Sequence, residues 1–184
     1  MGKVLGIIAE YNPFHNGHLY HLEQAKKLTK SNYTVAVISG NFTQRGGCSL
    51  FDKWTKAKIA LESGIDLVIE LPVLYATSSA ENFADGSVRI LDSLKVVDYL
   101  SFGAETAEVD TLSSIANVLN NQPKDYKNLL TSELQKGVSF PKARETALLG
   151  VLNDNKKYGK VLSSPNNILG IEYIKALKKH KSKI

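Results

Sequence analysis

A single cysteine, Cys48, stands among 184 residues, which excludes an internal disulfide framework and leaves no cysteine pair for a zinc cluster. Long apolar runs are missing too. Val4 to Ala9 is closed at once by Glu10, too short a run for the core of a signal peptide. The stretch from Leu67 to Ala76 is broken by Glu70 and Pro72, so it does not read as a membrane span. No period of about 20–50 residues recurs, which excludes a solenoid or propeller. Acidic residues are absent from 175–184, where Lys175, Lys178, Lys179, Lys181 and Lys183 gather. The other 174 residues carry 18 basic and 18 acidic side chains, so the net charge of +5 is local. Such a tip steers RNA by electrostatics; it is also what a solvated helix end looks like, and that plainer reading is preferred. With 43% hydrophobic and 22% charged residues, one soluble, cytoplasmic domain over 1–184 is expected.

What is present is an alternation of strands and helices. Val4–Ala9, Tyr33–Ser39, Leu67–Leu71 and Val97–Phe102 are short, β-rich apolar runs of the kind buried in parallel sheets. Between them lie helical patterns from Gly17 to about Lys30, from Lys53 to Ser63 and from Asn82 to Leu94. Leu19, Leu22, Ala25 and Leu28 recur every third residue in the first; Trp54, Ala57, Ala60 and Leu61 are assigned to the buried face of the second. This rhythm implies a doubly wound, Rossmann-like α/β core over 1–110. From 111 on only helices are expected, at Thr111–Asn120, Asp125–Gln135, Phe140–Leu152 and Asn167–Lys179, as a helical elaboration over 111–184.

In open parallel sheets ligands sit beyond the carboxyl ends of the strands. The turn after the first strand reads Ala9-Glu10-Tyr11-Asn12-Pro13-Phe14-His15-Asn16-Gly17-His18 and leads straight into a helix. His15 and His18 are three apart, so both imidazoles share one side of a helix start. Gly17 lets a ligand approach the backbone, and the helix terminus offers free N–H groups to phosphate. Two imidazoles there can donate to α-phosphate oxygens as charge builds during in-line attack. After the second strand, Arg45 has the donor fork for a carboxylate or phosphate, and Asn41 and Gln44 can orient a small polar substrate. Glu81, Glu105, Lys142 and Arg144 are equally readable as ligand contacts or as structural ion pairs.

These residues resemble a known family. The strand followed by His15-Asn16-Gly17-His18 is similar to the HxGH nucleotidyltransferases. Tyr11 to His18, Gly40-Asn41-Phe42-Thr43-Gln44-Arg45-Gly46, Glu70-Leu71-Pro72, Ser79 to Ala84, Ser101-Phe102-Gly103-Ala104-Glu105 and Phe140 to Arg144 together resemble the bacterial tRNA(Met) cytidine acetate ligases. The resemblance implies an adenylate-forming enzyme using ATP with Mg²⁺. Acetate would attack the α-phosphate to give acetyl-adenylate, and the acetyl group would pass to N4 of the wobble cytidine of elongator tRNA(Met). It implies His15, His18 and Arg45 as catalytic residues. Nucleotide contacts would come from Ile7, Ala9, Glu10, Tyr11, Asn12, Phe14, Asn16, Gly17, Gly103 and one of Asn166 and Asn167, which otherwise read as helix-capping residues. The metal ligands stay unassigned.

Two departures stand out. Gly47 and Cys48 occupy the place where the family usually has an acidic residue after Arg-Gly. A serine-rich second phosphate clamp with an arginine is absent, and Ser163-Ser164-Pro165 replaces it poorly because proline lacks an N–H. The chain is therefore expected to be truncated relative to the family, without the clamp and the tRNA-binding part. Two other readings stay open: transfer of AMP or CMP to a phosphorylated cofactor precursor, and a non-enzymatic RNA-binding module using the lysine-rich tail.

Overall fold

The computed structural model describes residues 2–106, 108–153 and 155–184. The chain packs as two compact units, one holding the chain to Phe102 together with Ala176–Ile184, the other Gly103–Lys175.

The first unit is built on four strands, β1 (Val4–Ala9), β2 (Tyr33–Ser39), β3 (Leu67–Leu71) and β4 (Tyr99–Ser101). They form one parallel sheet in the order β3-β2-β1-β4. β1 and β2 are mostly apolar because they run through the middle of the sheet, and Leu5, Ile7, Ala36 and Ile38 lie in the core with Leu22 and Ala25 of α1 (Asn16–Thr29). The chain steps from β1 outward to β2 and β3, then returns to place β4 on the other side of β1. The strand order reverses at β1, so a crevice opens past its carboxyl end, where such sheets take ligands.

The bounds of β1, β2 and β3 agree with the sequence reading, whereas β4 is three residues long instead of six. Two helical faces differ from expectation, for one geometric reason. Residues three apart step back about 60° around a helix, so four of them span half its circumference. Leu22 and Ala25 are accordingly buried, while Leu19 and Leu28 at the ends are exposed. In α2 (Lys53–Glu62) the inward positions are Lys56 and Ala60, four apart. Trp54 is 75% exposed and Leu61 47%, so of the four residues assigned to the core face only Ala60 is buried. The short α3 (Val73–Ala76) after Pro72 and α4 (Ala80–Ser93), capped by Ser79, complete the unit before β4.

The second unit is helical: α5 (Val109–Asn121), α6 (Lys124–Gln135), α7 (Phe140–Val151), α8 (Asn155–Leu162) and α9 (Pro165–Lys179), whose last turn belongs to the first unit. The sequence reading contains four of these and omits α8. Helices α6 and α7 approach so closely that a Cβ on Gly150 would meet Leu129 Cδ1 at 2.6 Å. Glu172 is fully buried and paired with Arg144 and Lys175, which makes Arg144 a structural cation of this unit. No helix among the described residues is long and apolar enough to cross a membrane.

Candidate active site

Past β1 the chain turns sharply. Tyr11 takes a left-handed backbone (φ 49°) and Asn12–Pro13 is cis. Positive φ is uncommon for a bulky residue and persists where surroundings hold it. Here the Tyr11 ring is buried, edge-on to Phe14 (centroids 4.8 Å) and to His18 (4.9 Å). Burial also raises the Tyr11 phenol well above its ordinary range. Tyr11 and Phe14 thus form the apolar floor on which His18 rests.

The two histidines lock each other. His15 is the N-cap of α1, and its Nδ1 accepts from the Gly17 N–H at 3.0 Å. In return, the His15 N–H donates to His18 Nδ1 at 3.3 Å. This is the reciprocal pattern of a capping box, made with imidazoles. The rings stack at 3.8 Å with 24° between planes. Because each Nδ1 accepts a hydrogen bond, each neutral ring carries its proton on Nε2. The result is a pair of Nε2–H donors at a helix N-terminus. Gly17 suits it, since a Cβ there would lie 2.9 Å from His15 Cε1 and push the ring aside.

Burial pushes His18 down to about 4, helped by the neighbouring His15 and His21. His21, one turn on, shares a hydrogen bond of 2.9 Å with Ser101 Oγ and is also lowered by burial. A folded-state value below the unfolded value near 6.5 means that the folded protein binds fewer protons between about pH 6.5 and pH 4. Stability from this source is complete above about pH 6.5 and declines as pH falls. The urea midpoint should drop from pH 7 to pH 5.5, a window above most carboxylate titrations, and His18→Gln should flatten that drop; an equal drop in the variant would refute the assignment.

The β2–α2 loop, Gly40 to Asp52, is tied to this turn. Glu10 accepts from the Gln44 N–H, and Asn12 Oδ1 accepts from the Leu50 N–H at 2.6 Å. Asn41 Oδ1 takes the Lys53 N–H at 2.8 Å, beside Asp52, which caps α2. Glu10, Asn12 and Asn41 therefore use side-chain oxygens to hold backbone. Lys56, buried to 2% exposure, donates to Ser39 O (2.7 Å), Gly40 O (3.0 Å) and Ser49 Oγ (3.2 Å). Its pKa is lowered by burial, against a raising effect from Glu10. Arg45 is exposed, and no hydrogen bond or ion pair engages it among the described residues. The tether leaves one cation of the loop available.

The remaining expected contacts, Gly103, Asn166 and Asn167, belong to the second unit. Within it Glu105 caps α9, accepting from the N–H groups of Asn166 (3.3 Å) and Asn167 (2.9 Å) and from Asn166 Nδ2 (3.1 Å). Burial opposes ionisation of Glu105, but these donors outweigh it and hold its pKa low. Asn167 is fully buried and satisfied: Oδ1 accepts from the Thr106 N–H, and Nδ2 donates to Thr106 Oγ1 and Val161 O. Asn166 is exposed. Space around Gly103 is open, with nothing within 4 Å of where a Cβ would stand. Pro165 opens α9, where a missing N–H costs nothing. Of the terminal lysines, Lys175 pairs with Glu172 and Lys179 with Asp85.

Three groups were not singled out in the sequence: Lys56, Glu10 as a loop anchor, and His21. His21 follows His18 by three residues and was legible from spacing alone. Lys56 carried no such signal.

Residues 2–184 match the family model described as HIGH Nucleotidyl Transferase. The chain is 59% identical over 182 residues to the tRNA(Met) cytidine acetate ligase of Caldanaerobacter subterraneus subsp. tengcongensis, covering 99% of this chain and 45% of that protein. It is 57% identical over 181 residues to the enzyme of the same name from Thermoanaerobacter sp., covering 98% and 45%. It is also similar to the crystal structure of Thermotoga maritima TmcAL bound with alpha-thio ATP, with a TM-score of 0.96, 47% identity and coverage of 99% of this chain and 45% of that one. The chain thus spans about half the length of the relatives it matches.

Proposed function

Because the chain belongs to the HIGH nucleotidyl transferase family, we propose that it is the ATP-activating part of a tRNA(Met) cytidine acetate ligase. Relatives of that name are 57–59% identical to it, and a similar structure holds an ATP analogue. The observation that carries the reading is the interlocked His15–His18 pair, with two Nε2–H donors at the start of α1 beside the switch point of the sheet.

In this reading ATP lies over the turn, with Ile7, Ala9, Asn16 and Gly17 among its neighbours. Acetate oxygen attacks the α-phosphorus, a P–O bond forms, and the bond to pyrophosphate breaks. His15 and His18 donate to phosphate oxygens as their negative charge grows, and Arg45 holds acetate or pyrophosphate. With its Nδ1 occupied as an acceptor, each ring presents Nε2–H as its donor. The N4 amine of the wobble cytidine then attacks the acetyl carbon, AMP leaves, and the amine proton goes to solvent. Among the described residues no group of three metal-ligating side chains gathers. Mg²⁺ would accordingly be held chiefly by the nucleotide phosphates and water, supplying charge neutralisation. Glu10 and Asn12 act here by holding the loop, Tyr11 and Phe14 by supporting His18, and Asn167 by fixing the start of α9.

Acetate-dependent exchange of labelled pyrophosphate into ATP, in a protein of the relatives' full length carrying this sequence, tests the reading. Exchange that needs acetate supports it. Exchange indifferent to acetate but dependent on a phosphorylated acceptor would replace it with nucleotidyl transfer to a cofactor precursor.

A further inference from the structure

Three large apolar side chains near the site are turned to water. Leu50 is 66% exposed, Phe51 41% and Trp54 75%, in the segment that ends the β2–α2 loop and begins α2. Burial does not account for them, since α2 covers the core with Lys56 and Ala60 on its other face. They are not remote from the histidine turn either: the Leu50 N–H is bonded to Asn12 Oδ1, and the Lys53 N–H to Asn41 Oδ1. The Lys53 ammonium stands 5.4 Å from the Trp54 ring centre while pairing with Glu70. Arg45, free among the described residues, lies in the same loop, and Lys58 follows Trp54 by one turn.

We propose that Trp54, with Phe51 and the cations around it, is a stacking platform for an unpaired base of the RNA substrate. This rests on the reading above, in which the acceptor is a cytidine of tRNA. A base whose exocyclic amine is to react must leave its stack, and its unpaired neighbours lose partners with it. An aromatic ring compensates because every base has a π-face, and nearby cations serve the phosphates that follow. The indole suits this better than a protein partner, because Arg45 of the same loop is unpaired among the described residues and the pairs Lys53–Glu70 and Lys58–Glu62 are exposed, where carboxylates hold their cations weakly enough for phosphates to displace them. Asp52 and Glu62 lie on the same helix, but Asp52 is turned to the helix backbone and Thr55, and Glu62 faces Lys58 at 3.9 Å. The cavity of about 130 Å³ at the ends of β2 and β3, lined by Gly40, Phe42, Glu70 and Leu71 among others, does not contain these residues. The platform is therefore an open surface, as a passing strand requires.

Trp54 is the sole tryptophan, so its emission reports on this spot alone. Titrating the 184-residue chain with single-stranded oligocytidylate RNA should quench it saturably, and His15→Asn should leave the quenching intact. Trp54→Ala should weaken binding of end-labelled RNA, read by anisotropy, by about 5- to 100-fold, as loss of one base–aromatic stack does. Trp54→Phe should restore most of it. Binding of an ATP analogue, measured by calorimetry, should be the same in Trp54→Ala as in the native chain, which separates this inference from the function on which it rests. RNA binding without quenching, no RNA binding, or an unchanged affinity in Trp54→Ala overturns the proposal. An emission that varies with protein concentration in the absence of RNA also overturns it and makes the surface a contact between copies of this chain.

Discussion

His15→Asn should leave stability almost unchanged and lower the rate of acetyl-adenylate formation by about 10²- to 10³-fold, the usual effect of removing one donor aimed at developing charge. The value of this substitution lies in what it preserves. Asparagine Oδ1 sits at nearly the same distance along the side chain as imidazole Nδ1, and Asn is among the best N-cap residues. The bond from the Gly17 N–H is therefore kept, along with the start of α1. What disappears is Nε2–H and the ring stacked on His18. His15→Ala removes the cap as well and should cost about 1 kcal/mol of stability in addition. If capping were the whole role of His15, the Asn variant would be as active as the native protein. Pyrophosphate exchange at saturating ATP and acetate, set beside urea midpoints, tells the two roles apart. A loss confined to KM for ATP would mean that His15 serves ground-state binding rather than the transition state.

The difference between these roles bears on how far the sequence could be read. The strands were legible because a parallel strand buried on both faces is a bare apolar run with sharp ends: Glu10 after β1, Gly40 after β2, Pro72 after β3. The histidine turn was legible because its residues are neighbours in sequence. Its wiring was not. That His15 caps through Nδ1 and that a Cβ on Gly17 would press on the His15 ring follows only from coordinates. Trp54 was misjudged because an aromatic at helical spacing is usually core, and nothing local says that the inward stripe of α2 begins at a lysine. Helix α8 was missed because Asn155–Leu162 has few apolar positions and a glycine inside. The Glu105 cap on α9 joins residues about sixty apart, a distance over which pattern carries no information.

Lys56 is the sharpest of these hidden contacts, and Lys56→Met should destabilise the first unit by about 3 kcal/mol. Removing a buried charge can be nearly neutral when its partner is removed with it. Here the partners are the backbone carbonyls of Ser39 and Gly40, which no substitution deletes, and the Ser49 hydroxyl. Methionine fills the space of the lysine stem but donates nothing, so two carbonyls beside a side chain of 2% exposure lose a charged donor, Gly40 O keeping only the Ser49 hydroxyl. Each such loss costs about 1–3 kcal/mol, and hydrogen bonds from a charged donor lie toward the upper end. Relief of the lysine's desolvation, which already lowers its pKa, offsets part of that total and brings it to the stated figure. The urea midpoint should fall with an unchanged m-value, as expected when stability but not the extent of unfolding is altered. Because the same ammonium holds the end of β2 to the loop carrying Arg45, the surviving folded variant should also bind acetate or pyrophosphate more weakly. A loss below about 1 kcal/mol would mean that water replaces the ammonium at those carbonyls and that the loop does not depend on Lys56.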